Sequence, residues 1–447
     1  MSKDIEATVK ALEEKAKKVH PHLKYAPRAF VIEFAGTPKS GKSTAVEAVR
    51  HFFSRHQFRV HVLTERAAVC PIPMKGHLFF NTWCAATMLA ELLENIETDT
   101  DIIIVDRGIV DALVWLQLQE QRGELTKGEA RTIEAFLLLD RWRSLVDMSV
   151  VMSVDASAAM KREVGQRITR IPGSIMNPDV LDAITGSVRT AVRKYRSRLP
   201  QILSIDTSKS RSVRQSNAVL ANAMVDSLEK FLNPLILVVP REEIAKLPMK
   251  DGGAFSEGAV RSALRCIQKH GRYMLRASAE EDPRVVQIVS AGVLTSNGKV
   301  FVFQRKESDP KSRLYGKATI WQGTHIPKMQ GRSGRSLLSA TLMDRIMRSL
   351  FLSREFATDL KGYCWDRDEE RSSNHFGVIF RIEIDNVNTA IDLRKKEFRR
   401  GRGRGHNLVG QFISWSKLRR SSKDLALESW SQSILKSLSD FRGSRGS

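Results

Sequence analysis

Residues Phe30-Val-Ile-Glu-Phe-Ala-Gly36 form an apolar strand pattern that ends in a glycine. The turn Thr37-Pro38-Lys39-Ser40-Gly41 follows, and Lys42-Ser43-Thr44 opens a helical pattern running to Phe53. The segment satisfies G-x-x-x-x-G-K-[ST] in full, between a strand and a helix, the setting in which that pattern cradles phosphate. Gly36 and Gly41 allow the tight turn that points backbone N–H groups inward. Lys42 is placed to reach β- and γ-phosphates, and the Ser43 hydroxyl to ligate Mg²⁺. The start of the helix adds partial positive charge. The expected nucleotide contacts are Gly36, Thr37, Pro38, Lys39, Ser40, Gly41, Lys42, Ser43 and Thr44, with ATP and Mg²⁺ as the implied cofactors.

A loop of this kind needs a parallel sheet behind it, and the first half of the chain supplies the pattern. Short apolar runs at 30–35, 59–63, 102–105, 148–154 and 202–205 alternate with helical stretches at 43–55, 81–96, 110–121, 127–143, 178–198 and 213–231. Strands apolar throughout are expected where helices cover both faces. The second half has a helix at 257–270, a hairpin of 285–294 and 299–304 around Asn297-Gly298, a helix at 336–351 and a strand at 375–384. That is an α+β pattern. At 447 residues the chain is too long for one ordinary core. We expect an N-terminal helical extension (1–27), an α/β domain (28–232) and an α+β domain (233–447), with the boundary near Asn233–Pro240.

The 42% hydrophobic and 27% charged composition is that of a globular protein, with no apolar run long enough for a membrane span. The first twenty residues form a charged helical pattern, not a signal peptide. Cys70, Cys84, Cys266 and Cys364 are far apart, without a C-x-x-C pair, and are expected to be reduced thiols of a cytoplasmic protein. The net charge of +22 favours polyanions, including a nucleic acid bound through the basic surface. It is densest in the glycine-rich segment Arg394–His406. A solvated basic surface without a dedicated partner fits the same charge. The sequence does not fix the oligomeric state.

Three clusters narrow the chemistry of the first domain. Thr64-Glu65-Arg66 follows the second strand, at the end of the sheet where ligands bind. Glu65 is a candidate base for a hydroxyl acceptor, and Arg66 a candidate holder of an acceptor phosphate. The third strand ends in Asp106-Arg107-Gly108-Ile-Val-Asp111, with Asp106 placed to orient Mg²⁺ and Arg107 to meet the transferred phosphate. Lys161-Arg162-Glu163, Arg167 and Arg170 follow the fourth strand as a basic lid that would close over phosphate. An exposed basic helix is the plainer reading of that last cluster.

In this order the motifs resemble the deoxynucleoside kinase and thymidylate kinase group over roughly residues 28–210. The resemblance implies a P-loop kinase sheet, a base at Glu65, and an aromatic residue near the substrate, for which Trp83 is the candidate. Gly108 stands where the group usually carries Ser or an aromatic residue, and the segment Ala67–Gly76 has no clear counterpart.

The second half resembles Nudix hydrolases, in particular the group described as predicted MutT-like phosphoesterases. The matching pieces are Leu237-Val-Val-Pro-Arg241, Arg276 with Glu280-Glu281-Asp282-Pro283, Gln287, Gln304-Arg305, Gly323-Thr324-His325-Ile326, Gly362, His375–Phe380 and Glu428-Ser-Trp-Ser431. The catalytic R-E-x-x-E-E helix is degenerate here. Arg345 is present, but Ile346, Ser349 and Leu350 take the glutamate places and only Asp344 is acidic nearby. Hard cations need oxygen ligands, so we expect a Nudix-like domain without hydrolase activity, one that binds a ligand or regulates the other half. The alternative is a metal site rebuilt from Asp366, Asp368 and Glu369.

The leading expectation is an ATP- and Mg²⁺-dependent phosphotransferase acting on a nucleoside or nucleoside monophosphate. Two alternatives stay open: a kinase of nucleic-acid 5′-hydroxyls, and an ATP-binding sensor with little turnover.

Overall fold

The computed structural model describes residues 3–26, 28–73, 77–96, 98–166, 175–199, 201–208, 213–304, 314, 316–329, 331–350, 352, 355–368, 372–384, 410–422 and 424–437. The chain divides into two compact units, Met1–Leu232 and Asn233–Ser447.

The first unit runs α1 (Lys3–Val19), β1 (Phe30–Gly36), α2 (Lys42–Arg55), β2 (Val60–Leu63), α3 (Leu78–Asn95), β3 (Ile102–Asp106), α4 (Ile109–Gln121), α5 (Lys127–Leu137) and α6 (Asp140–Arg143). It continues through β4 (Met148–Ser153), α7 (Ala156–Gln166), α8 (Pro178–Tyr195), β5 (Gln201–Asp206) and α9 (Val213–Leu232). Its sheet is parallel, in the order β2-β3-β1-β4-β5. Alternate residues of β1 feed two separate cores. Phe30, Ile32 and Phe34 pack with α2 and α9, while Val31 and Ala35 pack with α3, α4 and α8. Double coverage explains why these strands are apolar throughout, and it makes the buried Glu33 conspicuous.

The N-terminal helix belongs to this unit. Leu12, Ala16 and Val19 lie on one face of α1 and join the core with Leu220, Met224 and Leu228 of α9. Lys15 pairs with Asp226. The single helix expected over 127–143 is two helices. The chain breaks at Leu138–Leu139, where the Phe136 carbonyl at the end of α5 accepts from the Leu139 N–H (3.2 Å) and from Trp142 Nε1 (3.0 Å).

The second unit runs β6 (Leu235–Pro240), α10 (Arg241–Ala245), β7 (Gly253–Ala254), α11 (Glu257–His270), β8 (Arg272–Leu275), α12 (Arg276–Glu281), β9 (Val285–Ser296) and β10 (Lys299–Gln304). Then come β11 (Ala318–Thr319), β12 (Trp321–His325), α13 (Gly334–Ser349), β13 (Thr358–Cys364), β14 (His375–Glu383), β15 (Gln411–Ser414), α14 (Trp415–Arg420) and α15 (Ser429–Lys436). The long β9 is the hub of a mixed sheet. It pairs antiparallel with β6, β10 and β12 and parallel with β14. Its even-numbered residues Val286, Ile288 and Leu294 face α11 and α13, and its odd-numbered residues Val289, Ala291 and Val293 face α14 and α15.

No helix among the described residues is long and apolar enough to cross a membrane.

Candidate active site

The loop after β1 is shaped by sterics. Gly36 has φ +135°, and a Cβ there would lie 1.8 Å from the Met152 carbonyl oxygen of the neighbouring β4. Gly41 (φ +90°) caps α2, and Lys39 between them also takes a positive φ of 59°. Thr37 fastens the loop to β4. Its N–H donates to the Met152 carbonyl (3.0 Å), and its hydroxyl accepts from the Val154 N–H (2.9 Å).

Lys42 is buried and folds back onto the loop, donating to the carbonyls of Gly36 (3.1 Å) and Thr37 (3.0 Å). Burial lowers its ammonium to about 8. The Arg107 charge pushes the same way, while Asp111, Asp106 and Glu65 oppose. An ammonium this poorly solvated is held for an incoming anion.

Arg107 is the centre of the charge network. Its backbone sits at φ +65°, with its N–H on the Phe34 carbonyl (2.9 Å). Its Nε lies 2.5 Å from Glu65 Oε1, and its Nη1 lies 3.2 Å from Asp111 Oδ2. Burial alone would lower its pKa, but the carboxylates of Asp111 and Glu65 outweigh that and hold it above its ordinary value. Asp111 also accepts from the Gly36 N–H (3.2 Å), tying α4 to the first loop glycine. Burial raises the Asp106 carboxyl, with Arg107 opposing, and its Oδ1 is buried without a hydrogen-bond partner. A buried orphan oxygen at the end of β3, with the Ser43 hydroxyl on the cleft, is a donor set that fits a hard cation or its water.

The loop, Glu65, Arg107, Arg162, Thr207 and Asn217 together line a cleft of about 500 Å³. Arg162 lies on helix α7. It donates to the carbonyl of Lys39 (2.8 Å), and to the hydroxyl (3.1 Å) and carbonyl (2.6 Å) of Thr207. Lys39 pairs with the buried Glu163 (2.9 Å). Lys161-Arg162-Glu163 is therefore regular helix, and Arg162 is bonded to the phosphate loop. Arg167 and Arg170 lie outside the described residues, as does the Arg394–His406 segment.

Arg66 departs from its expected place. Its guanidinium lies 3.3 Å from Glu91 and over the Trp83 ring at 5.9 Å, and it does not line the cleft. The short helical turn beginning at Arg66 sends neighbouring side chains in different directions, so Glu65 faces Arg107 while Arg66 faces α3. Nearby, burial and then Cys70 push the Cys84 thiol up to about 12.

Three contributors escaped sequence reasoning. Glu33 is fully buried, accepting from the Ser149 hydroxyl (2.5 Å) and the Val110 N–H (3.3 Å), and burial raises its carboxyl to about 7. A charged residue inside an otherwise apolar strand was its available signal. Asp111 was visible as part of the third-strand motif, but its bond to the loop was not. Thr207 carries no motif. Following β5, its hydroxyl lies 3.1 Å from both the Ser40 carbonyl of the loop and the Ser153 carbonyl at the end of β4.

In the second unit, Ile346, Ser349 and Leu350 are fully buried, so the hydrolase glutamate places point into the core. Asp344 pairs with Arg348 (2.6 Å). Among the described residues Asp344, Asp366 and Asp368 belong to no group of three close ligand atoms, and Glu369 lies outside the described residues. A cavity of about 560 Å³ in this unit, lined by Arg419, Gln432 and Lys436 among others, has no carboxylate among its described lining residues.

No protein-family model matches the chain. Protein YmaB of Bacillus subtilis (strain 168) is 24% identical over 209 residues, which is 46% of this chain and 97% of YmaB. Among solved structures, "Crystal structure of Tm1382, a putative Nudix hydrolase" is similar at 18% identity and TM-score 0.35, over 46% of this chain and 97% of that one. Deoxyadenosine kinase from M. mycoides with bound dCTP is similar at 13% identity and TM-score 0.35, over 44% of this chain and 100% of that one. At these levels the chemistry has to be argued from the site itself.

Proposed function

We propose that the first unit binds ATP with Mg²⁺ and transfers the γ-phosphate to a hydroxyl of a nucleoside. One observation carries the choice of acceptor: the ion pair between Glu65 and Arg107 on the wall of the cleft that Lys42 lines. Arg107 is engaged by Glu65 and Asp111 together, which leaves it little capacity for an acceptor phosphate. Glu65 offers a carboxylate that a second phosphate would repel and a hydroxyl would meet favourably. The nucleoside class rests on the order of the motifs along the chain.

In this reading the loop N–H groups and Lys42 hold the triphosphate. Glu65 takes the proton of the acceptor hydroxyl. That oxygen bonds to the γ-phosphorus, and the bond to the β–γ bridging oxygen breaks, its electron pair leaving on ADP. Ser43 and Asp106 would hold Mg²⁺, whose contribution is to neutralise charge on the transferring group. Arg162 braces the loop through Lys39 and Thr207. The second unit, with the hydrolase glutamate places of its helix buried, binds or regulates.

The test is transfer of labelled γ-phosphate from ATP to nucleosides, nucleoside monophosphates and 5′-hydroxyl oligonucleotides, with Lys42→Ala and Glu65→Gln alongside. Label on a nucleoside, lost in both variants, supports the reading. Label on monophosphates that survives Glu65→Gln, or label on oligonucleotide ends, overturns the assigned acceptor. Tight ATP binding without transfer to any acceptor leaves a sensor.

A further inference from the structure

The pieces that the sequence singled out in the second half, and that the proposed reaction does not use, converge in space. Glu280 lies in the last turn of α12, His325 ends β12 and His375 begins β14. One potential ligand atom from each lies within 4.8 Å of the other two, and the imidazole centroids are 5.4 Å apart. Two ligands about 2.1 Å from a tetrahedral Zn²⁺ sit about 3.4 Å apart, so the atoms need to close by no more than about 1.4 Å.

Sheet register explains the convergence. His375 stands opposite Gln287 of β9, and His325 stands opposite Val289, two residues further along. Residues two apart on a strand share a face, so both imidazoles and the Gln287 side chain lie on one face of the sheet. Gln287 is fully buried, and neither its amide oxygen nor its amide nitrogen has a hydrogen-bond partner. A buried amide left unpaired is costly, which marks it as a group waiting for a ligand or its water. Its backbone is tied into the same place. The Gln287 N–H donates to the Asn374 carbonyl (2.7 Å), and Asn374 Nδ2 donates to the Glu280 carbonyl (3.4 Å). The face is also the one turned away from α13, whose Leu342 and Ile346 pack on the opposite side. The site is therefore separate from the helix on which the hydrolase resemblance would place metal carboxylates.

We propose that Glu280, His325 and His375 form a site for a single divalent transition-metal ion of the Zn²⁺ class, with Gln287 bonded to a metal-bound water or to an exogenous ligand. Two imidazoles and one carboxylate suit a borderline cation better than Mg²⁺, and three protein ligands leave a coordination position open. In the absence of metal, Glu280 is balanced by Arg276, 3.7 Å away and one helical turn earlier. All three ligands are half-buried, which keeps a path for the ion and for a fourth ligand.

The experiment is Zn²⁺ titration of the full-length, chelator-stripped protein, with Co²⁺ absorption as a direct view of coordination. Variants are Glu280→Gln, His325→Gln, His375→Ala and, outside the ligand set, Gln287→Leu. Circular dichroism checks that each remains folded. The expected result is one ion per chain, tetrahedral or five-coordinate Co²⁺ bands, and affinity weakened about 100-fold or more by loss of any one ligand. Loss of Gln287 should weaken it about tenfold, the usual cost of removing a hydrogen bond that orients a metal-bound group. If one ligand variant fails to fold, the other two decide the matter. Unchanged affinity in folded ligand variants, or thiolate-type Co²⁺ bands from the cysteines, overturns the site. Neither result depends on whether the first unit is a kinase.

Discussion

Glu33 and Gly108 compete for one volume. A Cβ built on Gly108 would lie 2.1 Å from Glu33 Oε2 and 2.6 Å from Glu33 Cβ. This accounts for the glycine that departs from the usual Ser or aromatic after Asp106-Arg107. The carboxyl of β1 fills the space beneath the start of α4, and it holds that helix by accepting from the Val110 N–H. Gly108→Ala is expected to destabilise the first unit by about 1–3 kcal/mol, the usual cost of overpacking a rigid core. Because α4 also carries Asp111 onto the Gly36 N–H, ATP affinity should fall as well. Hydrogen exchange of the peptides over β1 and α4 reads the first effect and calorimetric ATP titration the second. An alanine variant with wild-type protection would show that Glu33 moves aside at no cost.

The buried Glu33 also gives the first unit a pH signature. Burial raises its carboxyl from 4.5 to about 7, so between these values the folded state holds a proton that the unfolded state has released. Stability from this group is complete below pH 4.5 and is lost as pH rises towards 7, by about 3 kcal/mol in all at 1.36 kcal/mol per pH unit. Glu33→Gln keeps the neutral hydrogen-bonding character at every pH. The difference in stability between variant and native protein should therefore move in favour of Gln across that window and level off above it. A difference that stays flat from pH 4 to pH 8 would place the Glu33 titration elsewhere.

How much of this was legible depends on where the causes lie. The five parallel strands were readable because both faces of each are covered, leaving a run of apolar residues that needs no partner information. The phosphate loop was readable because its geometry demands glycine at Gly36 and Gly41. For α7 a lid was preferred and an exposed basic helix kept as the plainer alternative, because local charge does not separate the two; what fixes Arg162 is Thr207, 45 residues away. Arg66 was misplaced because the direction of a side chain in a short turn depends on Glu91 and Trp83, on another element. In the second unit only β9, β10 and β14 were expected, and the other strands, β12, β13 and β15 among them, were missed. They form around β9 and its neighbours, and Gly323 and Gly362 interrupt the apolar pattern within them.

Lys42 should make nucleotide binding take up protons. Its ammonium is lowered to about 8 when it rests on loop carbonyls, and bound phosphates favour the charged form. Below pH 8 it is already protonated. Above pH 8 binding must first protonate it, so ATP affinity should fall by up to tenfold per pH unit. Calorimetric titration at pH 8.5 in buffers of different ionisation enthalpy should show net proton uptake, and Lys42→Arg should abolish the uptake. Equal heats in all buffers would mean that Lys42 is charged throughout.

Thr207 is expected to act on the loop from a distance. Thr207→Val keeps the shape but removes the hydroxyl that joins the Ser40 and Ser153 carbonyls and accepts from Arg162. The loss is about 1–2 kcal/mol. It should appear as weaker ATP binding of about tenfold, with little change in the acceptor KM. An equal rise in both constants would argue for general loosening of the sheet.

The second unit has its own buried carboxylate to test. Glu428 caps the start of α15 and is 2% exposed. It accepts from Trp321 Nε1 (2.6 Å), from the Trp430 N–H (3.0 Å), and from both the N–H and the hydroxyl of Ser431. Every one of these partners is a donor. Glu428→Gln replaces one acceptor oxygen with an NH₂ group that faces donors, and Glu428→Ala removes their shared acceptor from a buried site. The expected costs are about 1–3 kcal/mol for Gln and more for Ala, since an unmet buried donor carries its full desolvation penalty. Trp321 and Trp430 lie with ring centroids 4.9 Å apart in this cluster, so their fluorescence reports the change directly. Urea unfolding should shift to lower midpoints in the order native, Gln, Ala. Because the cluster and the phosphate loop belong to different compact units, ATP affinity should be unaffected at low urea. A Gln variant as stable as the native protein would mean that the pocket rearranges to give the amide an acceptor.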